Sequence, residues 1–185
     1  MMQRDTFWNA RPLFAPTALR TWLLDAGSLT ARIKARCRDF SVQVLLQGGV
    51  KVPREESEVL GLRYGEHALG RDVLLRCGAV PVVFAHSVLR CQDLRGPWRS
   101  IAGMGSRPLG AALFADPRIE RYPLAFHRLR YGHPLYCAAA RALGRRPAPL
   151  WARRSLFVLH GAPLLVTEAF LPEIIGLMNT GASEA

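Results

Sequence analysis

Several features that are scarce or missing in this 185-residue chain exclude whole classes of protein. Lysine is nearly absent: of the 25 basic residues only Lys34 and Lys51 are lysines, so arginine supplies almost all of the net charge of +11. No apolar run approaches the roughly 18 residues that a membrane-spanning helix requires. No glycine-rich GxGxxG or P-loop pattern follows a strand, so the usual nucleotide-binding loops are excluded. What remains is a basic domain with an unspecified anionic partner.

Cysteine is also scarce, and its spacing carries no metal-ligand pattern. The four cysteines are scattered without a CxxC or Cys/His arrangement; they are Cys37, Cys77, Cys91 and Cys137. We therefore predict four free thiols and no metal site. The first residues also lack the 7–15-residue apolar run of a signal peptide. Together these features predict a cytoplasmic protein.

The positive charge is concentrated in one part of the chain. Residues 116–154 contain nine arginines and two acidic residues, interleaved with aromatic side chains. This pattern is weakly typical of nucleic-acid binding, and it suits an anionic membrane surface or a small dianion as well. A solvated helical face without a specific role explains it equally well.

The pattern of strands and helices predicts an α+β fold with an antiparallel sheet and helices clustered on one side. Two hairpins are indicated, RDVLLRC–VVFAHSVL with a GAVP turn and SLFVLHG–PLLVTEAFL with a turn at residues 161–163. FSVQVLLQG is a further strand, Thr17 and Ser28 are predicted helix caps, and residues 118–150 are predicted as broken helix. We expect one domain over residues 1–185, with a core of about 17–175 and flexible ends.

Three residues on these strands have chemistry that needs an explanation. Glu168 lies in the apolar segment PLLVTEAFL, so its carboxylate must pair with an arginine, be protonated or meet a ligand. Arg71 lies at the start of RDVLLRC and either reaches solvent along its aliphatic stem or faces a ligand. His86 shares a strand face with apolar residues, where a hydrogen-bonded core histidine is more usual than a catalyst.

Four segments together resemble a known family. The segment LWARRSLFVLHGAPLLVTEAFLP resembles the signature of the chorismate–pyruvate lyases of the ubiquinone pathway. WLLDAGSLTARI, RDVLLRCGAVPVVFAHSVL and RPLGAALF resemble further family segments in the same order and spacing. The resemblance spans about residues 20–172, which is nearly the whole chain.

The resemblance implies a fold, a reaction and a set of site residues. It implies a single α+β domain whose ligand lies in an enclosed site beneath helical flaps. The implied reaction converts chorismate to 4-hydroxybenzoate and pyruvate, the first committed step of ubiquinone biosynthesis, without cofactor or metal. Arg71 and Glu168 fall on the catalytic and substrate-contacting positions, and Leu29 and Leu109 on positions whose backbone contacts the substrate. His86 stands where the family pattern has an arginine. We expect its side chain to support the substrate-contacting residues without contacting the substrate itself.

Two other functions stay open on the sequence. The first is a non-catalytic module that binds small ligands, because ligand-binding domains of transcription regulators share this general fold. The second is a basic protein of nucleic acid or membrane surfaces, based on residues 116–154. The expectation that goes with the lyase is a monomer without a nucleic-acid partner or membrane insertion, in transient contact at most with an anionic surface.

Overall fold

A seven-stranded antiparallel sheet forms the centre of the computed structural model, which describes residues 8–178. The strands are β1 (Phe40–Lys51), β2 (His67–Cys77), β3 (Val80–Arg90), β4 (Glu120–Arg121), β5 (Ala125–Leu129), β6 (Leu150–Leu159) and β7 (Ala162–Phe170). Their order is β1-β2-β3-β7-β6-β4, and β5 also pairs with β6. The helices are α1 (Thr17–Leu23), α2 (Leu29–Lys34), α3 (Arg54–Leu60), α4 (Arg99–Ala102), α5 (Leu109–Ala115) and α6 (Pro134–Leu143), with 3₁₀ helices at Cys91–Arg95 and Pro172–Met178.

The two predicted hairpins are present, and they meet at the middle of the sheet. β2 and β3 form the first hairpin, β6 and β7 form the second, and β3 pairs with β7. The turn between β6 and β7 consists of His160 and Gly161, so it begins one residue earlier than predicted. Both residues have positive φ, 49° and 75°. Positive φ at both central positions is what a two-residue type I′ turn requires. The predicted α+β fold with an antiparallel sheet is confirmed.

Helices pack on both faces of the sheet, so the prediction that they cluster on one side is wrong. α1 and α2 bury Trp22 and Ile33 against the face that carries Val73. α6 packs against the opposite face, where Leu74 and Phe84 lie. Successive residues of a strand point to opposite faces, and the central strand β7 is mainly apolar on both, so each face needs its own cover.

Some elements differ from the sequence prediction for local reasons. Ser28 caps α2 as predicted, since its Oγ accepts a hydrogen bond from the Ala31 N–H at 3.3 Å. Thr17 is the first residue of α1 rather than its cap, which is Pro16. The polar segment after β1 folds into α3, and the segment predicted as broken helix contains strands β4 and β5 besides α6. The ends predicted to be flexible lie largely outside the described residues.

The prediction of four free thiols is wrong for two cysteines. Cys37 and Cys77 form a disulfide with a Cα–Cα distance of 5.8 Å, while Cys91 and Cys137 are free. Cys37 follows α2 and Cys77 ends β2, so the fold brings together residues that are 40 positions apart. Sequence spacing alone could not show this pairing. Within residues 8–178 no helix is long and apolar enough to cross a membrane.

Candidate active site

A cavity lies between the centre of the sheet and the short helices α2 and α5. Counting the open space at its mouth, it encloses about 660 Å³. Most of its wall is apolar, and a few polar side chains converge on it; these polar residues are Thr30, Arg71, Ser87, Arg121, Arg153, Ser155 and Glu168. An apolar pocket with a few placed polar groups is the usual form of a site for a small ligand.

The sheet register brings Arg71 and Glu168 onto the same face. Arg71 lies opposite Ser87, which lies opposite Val166. Glu168 is two residues along from Val166 on β7, and alternate residues of a strand point to the same side. The two residues predicted to act together from the sequence are therefore both in the wall of one cavity.

Arg71 is buried with donors that the protein does not fully use. The residue is 3% exposed, and its Nη2 donates to the carbonyl oxygens of Gly105 and Arg107 at 2.8 and 3.2 Å. Its Nε is buried without a hydrogen-bond partner among the described residues. Burial lowers the pKa of this guanidinium, because desolvation disfavours the charged form. A buried cation with an unused donor is suited to binding a carboxylate.

Glu168 is paired with Arg153 on the neighbouring strand. The Arg153 Nε donates to the Glu168 Oε2 at 2.6 Å, and the two residues lie directly opposite each other in the β6–β7 register. Arg153 is 1% exposed, and its Nη1 also donates to the carbonyl oxygens of Trp22, at 3.1 Å, and Asp25. The arginine partner expected for a carboxylate in this apolar strand is therefore present, and Glu168 also faces the cavity.

Leu29 and Leu109 lie in the roof of the cavity. They are the first residues of α2 and α5, and first-turn N–H groups have no acceptor within their own helix. The two helices approach closely at Gly110, where an added Cβ would lie 3.2 Å from the Thr30 Oγ1. The structure thus brings all four residues predicted to contact the substrate to one cavity.

His86 borders the same cavity, but its ring takes part in contacts on the other side of the sheet. The Nδ1 lies 2.5 Å from the Asp72 Oδ1, and the Nε2 lies 3.4 Å from the Glu56 Oε2. Burial alone would lower the pKa of this imidazole, but the charge of Glu56 and hydrogen bonds to both carboxylates raise it to about 10. His86 is therefore an imidazolium held between two carboxylates, and its supporting role in the site stays a prediction.

The sequence of this chain matches a known protein family and several of its members. The pattern of the family described as chorismate lyase matches residues 1–178. The chain belongs to the chorismate lyase family. A probable chorismate pyruvate-lyase of Aromatoleum aromaticum is 56% identical over 92% of this chain and 94% of its own length. That of Nitrosomonas europaea is 48% identical over 90% and 94%. The predictions of the family and of a carbon–oxygen lyase are confirmed.

Two solved structures share the fold of this chain at low sequence identity. The effector domain of PhnF from Mycobacterium smegmatis has a TM-score of 0.51 at 16% identity, covering 80% of this chain and 90% of that one. A PhnF C-terminal domain has a TM-score of 0.55 at 15% identity, covering 72% and 83%. At these identities the likeness shows the fold alone.

Two arginines of the cavity were missed as site residues in the sequence. Arg153 is part of the family segment LWARRS, and a two-residue turn at His160–Gly161 places it opposite Glu168, so the hairpin register could have revealed it. Arg121 lies on the two-residue strand β4, whose pairing no sequence pattern indicated. Both belong to the arginine cluster of residues 116–154. That cluster is therefore not one solvated face, since Arg153 and Arg154 are buried.

Proposed function

We propose that this chain cleaves chorismate to 4-hydroxybenzoate and pyruvate, as the first committed step of ubiquinone biosynthesis. One observation carries the proposal: Arg71 and Glu168 face the same cavity from neighbouring parts of one sheet face. The names of the relatives support the same reaction, since they are probable chorismate pyruvate-lyases. Within the chorismate lyase family, the cavity offers a cation for the substrate and a carboxylate for a proton.

Substrate binding begins with the two carboxylates of chorismate, one on the ring and one on the enolpyruvyl group. The guanidinium of Arg71 binds the ring carboxylate, because its Nε is buried and needs an acceptor. The first N–H groups of α2 and α5, near Leu29 and Leu109, supply further donors to the same end. This arrangement places the opposite end of the ring, with its hydroxyl and ether groups, toward Glu168.

The reaction is an elimination that makes the ring aromatic. The bond between C4 and its hydrogen breaks, and its electron pair forms the new ring double bond. The bond between C3 and the ether oxygen breaks, and its electron pair leaves with the enolpyruvyl group. That group takes up a proton and becomes pyruvate, while the ring keeps its hydroxyl as 4-hydroxybenzoate. The step needs no oxidant, and aromaticity supplies the driving force, so the protein has to orient the substrate and move one proton.

Glu168 takes the ring proton and passes it to the departing group. Its hydrogen bond with the Arg153 guanidinium fixes the carboxylate in one orientation. Bound substrate together with the apolar wall displaces water from the reacting atoms, which strengthens the electrostatic contacts within the cavity. Glu168 gives up the proton in the same turnover, so the enzyme returns to its starting state.

The test is product analysis with the purified full-length chain. The protein is incubated with chorismate in the presence of a chelator, pyruvate release is followed enzymatically, and the aromatic product is separated by chromatography. Equal amounts of pyruvate and 4-hydroxybenzoate support the proposal. The 3-hydroxy isomer, or binding of chorismate without turnover, would contradict it, and the latter result would favour the non-catalytic ligand-binding module.

We also infer a cytoplasmic monomer without a nucleic-acid partner, which is the expectation that goes with the lyase. Three arginines of the 116–154 cluster, Arg121, Arg153 and Arg154, are buried or half-buried, which reduces the charge available to a polyanion. Sedimentation analysis and a salt titration of polyanion binding test these points. A dimer, or tight binding with a steep salt dependence, would contradict them.

A further inference from the structure

The cavity carries an excess of two positive charges, which matches the charge of a dianion. Among the described residues that line it, three guanidinium groups, those of Arg71, Arg121 and Arg153, stand against the single carboxylate of Glu168. The His86 ring is not counted, because its contacts are with Asp72 and Glu56 on the other side of the sheet. Arg153 and Glu168 neutralise each other through the 2.6 Å hydrogen bond between them. Two positive charges are therefore left, those of Arg71 and Arg121.

These two arginines enter the cavity from opposite sides. Arg71 is on β2 and Arg121 is on β4, and β3, β7 and β6 lie between those strands. Four strand spacings correspond to about 19 Å between the backbones, and both side chains extend inward over the sheet. A single anionic group cannot use both guanidinium groups as close partners, but a ligand with a carboxylate at each end can.

Arg121 is held in place by contacts that leave it positively charged. Its Nε donates to the Ser155 Oγ at 3.0 Å, and its Nη1 donates to the carbonyl oxygen of Ala26. The guanidinium also lies 5.1 and 5.4 Å from the ring centres of Phe114 and Phe157. All four contacts are with neutral groups, so none of them cancels the charge.

The surroundings of Arg121 favour an anion on electrostatic grounds. Burial and the nearby charge of Arg153 lower the pKa of its guanidinium, and they outweigh the opposite effect of the Glu168 and Asp25 carboxylates, so the charged form is destabilised at this position. An arriving carboxylate relieves this cost, because opposite charges attract most strongly where water is excluded. The aromatic rings beside the guanidinium form an apolar wall that can accept the short enolpyruvyl chain.

We infer that Arg121 forms a second carboxylate subsite, which binds the enolpyruvyl carboxylate of chorismate while Arg71 binds the ring carboxylate. The inference rests on the proposed function. It assigns the two ends of the substrate to two different arginines. After cleavage, 4-hydroxybenzoate keeps only the contact with Arg71, and pyruvate keeps only the contact with Arg121. Arg121 therefore distinguishes substrate from aromatic product, and Arg71 does not.

The experiment compares the substrate with the aromatic product in matched variants. Arg121→Gln, Arg71→Gln and the control Arg118→Gln are tested for the KM of chorismate and the inhibition constant of 4-hydroxybenzoate. Arg118 is an exposed residue of the same region, paired with Asp116 outside the cavity. Loss of one charge-assisted pair should raise the chorismate KM about 10- to 100-fold in Arg121→Gln, with the inhibition constant within about twofold of wild type. Arg71→Gln should weaken both ligands, and Arg118→Gln neither.

The alternative outcomes separate this inference from the proposed function. An unchanged chorismate KM in Arg121→Gln, or equal weakening of both ligands, would overturn the second subsite. Arg121→Lys keeps the charge and should recover part of the affinity, which separates charge from packing if the glutamine variant folds poorly. If the wild-type protein releases no pyruvate, the proposed reaction fails. The subsite is then still tested by calorimetry, where chorismate but not 4-hydroxybenzoate should bind more weakly to Arg121→Gln.

Discussion

The ion pair between Arg153 and Glu168 should contribute to the stability of the fold as well as to the site. Arg153 also donates to carbonyl oxygens at the end of α1, so one side chain joins β6, β7 and α1. We predict that Arg153→Met lowers the free energy of unfolding, because it leaves the Glu168 carboxylate without its partner and removes a donor from these carbonyl groups.

The magnitude follows from the burial of the two partners. Removing one member of a buried ion pair costs about 3–5 kcal/mol. Arg153 has 1% of its side chain exposed and Glu168 has 19%, so water can partly solvate the orphaned carboxylate. We therefore expect the lower end, about 3 kcal/mol. For a domain of this size that corresponds to a fall in Tm of about 6–12 °C.

The assay is urea unfolding of four variants and wild type. Arg153→Met and Glu168→Met are compared with the double variant, and the exposed Arg118→Met is the control. The double variant should lose clearly less stability than the sum of the single variants, because neither partner is left buried alone. The control should stay within about 0.5 kcal/mol of wild type. A loss below about 1 kcal/mol in Arg153→Met, or additive effects in the double variant, would refute this reasoning.

Three further predictions concern the reaction, a buried imidazolium and the disulfide. Glu168→Gln should lower kcat about 10²- to 10⁴-fold, because the amide cannot take up the ring proton; near-normal pyruvate release would contradict this. The pKa of His86 is raised to about 10, so its contribution to stability is complete below about pH 6.5 and is lost as the pH rises toward 10. Urea unfolding should show that decline in wild type, whereas a similar decline in His86→Asn would assign it to other groups. Reduction of the Cys37–Cys77 disulfide, which closes a loop of about 40 residues, should cost roughly 4 kcal/mol by chain entropy. The Tm should fall with reductant in wild type but stay constant in Cys37→Ser.

The hairpins and the main site residues could be predicted because their determinants are local. Gly161 and the apolar runs on either side of it specify the β6–β7 hairpin, and that hairpin carries Glu168. The placement of Arg71 beside Glu168 depends on the β3–β7 pairing, which joins the two hairpins. The resemblance to the chorismate lyase family supplied that long-range information, whereas strand patterns alone left both residues with ordinary structural explanations.

The remaining features depend on contacts that no local pattern encodes. Cys37 and Cys77 meet because α2 folds back over the end of β2. Strand β4 has two residues, Glu120 and Arg121, and exists only because β6 offers it a partner. Such a short segment has no periodicity to detect. Arg121 could therefore be recognised as a cavity residue only in the folded chain.

The arginine doublet in the segment LWARRS shows how burial decides what a charge does. Arg153 and Arg154 are consecutive on β6, so they point to opposite faces of the sheet. Arg153 enters the cavity and holds Glu168, while the Arg154 guanidinium packs 4.3 Å from the ring centre of Trp8 on the other face, and burial lowers its pKa to about 9. Neither contributes to a basic surface. The net charge of +11 thus overstates the number of charges that can contact a polyanion directly, because part of it lies inside the protein, where Arg153 binds a carboxylate and Arg154 packs on an aromatic ring.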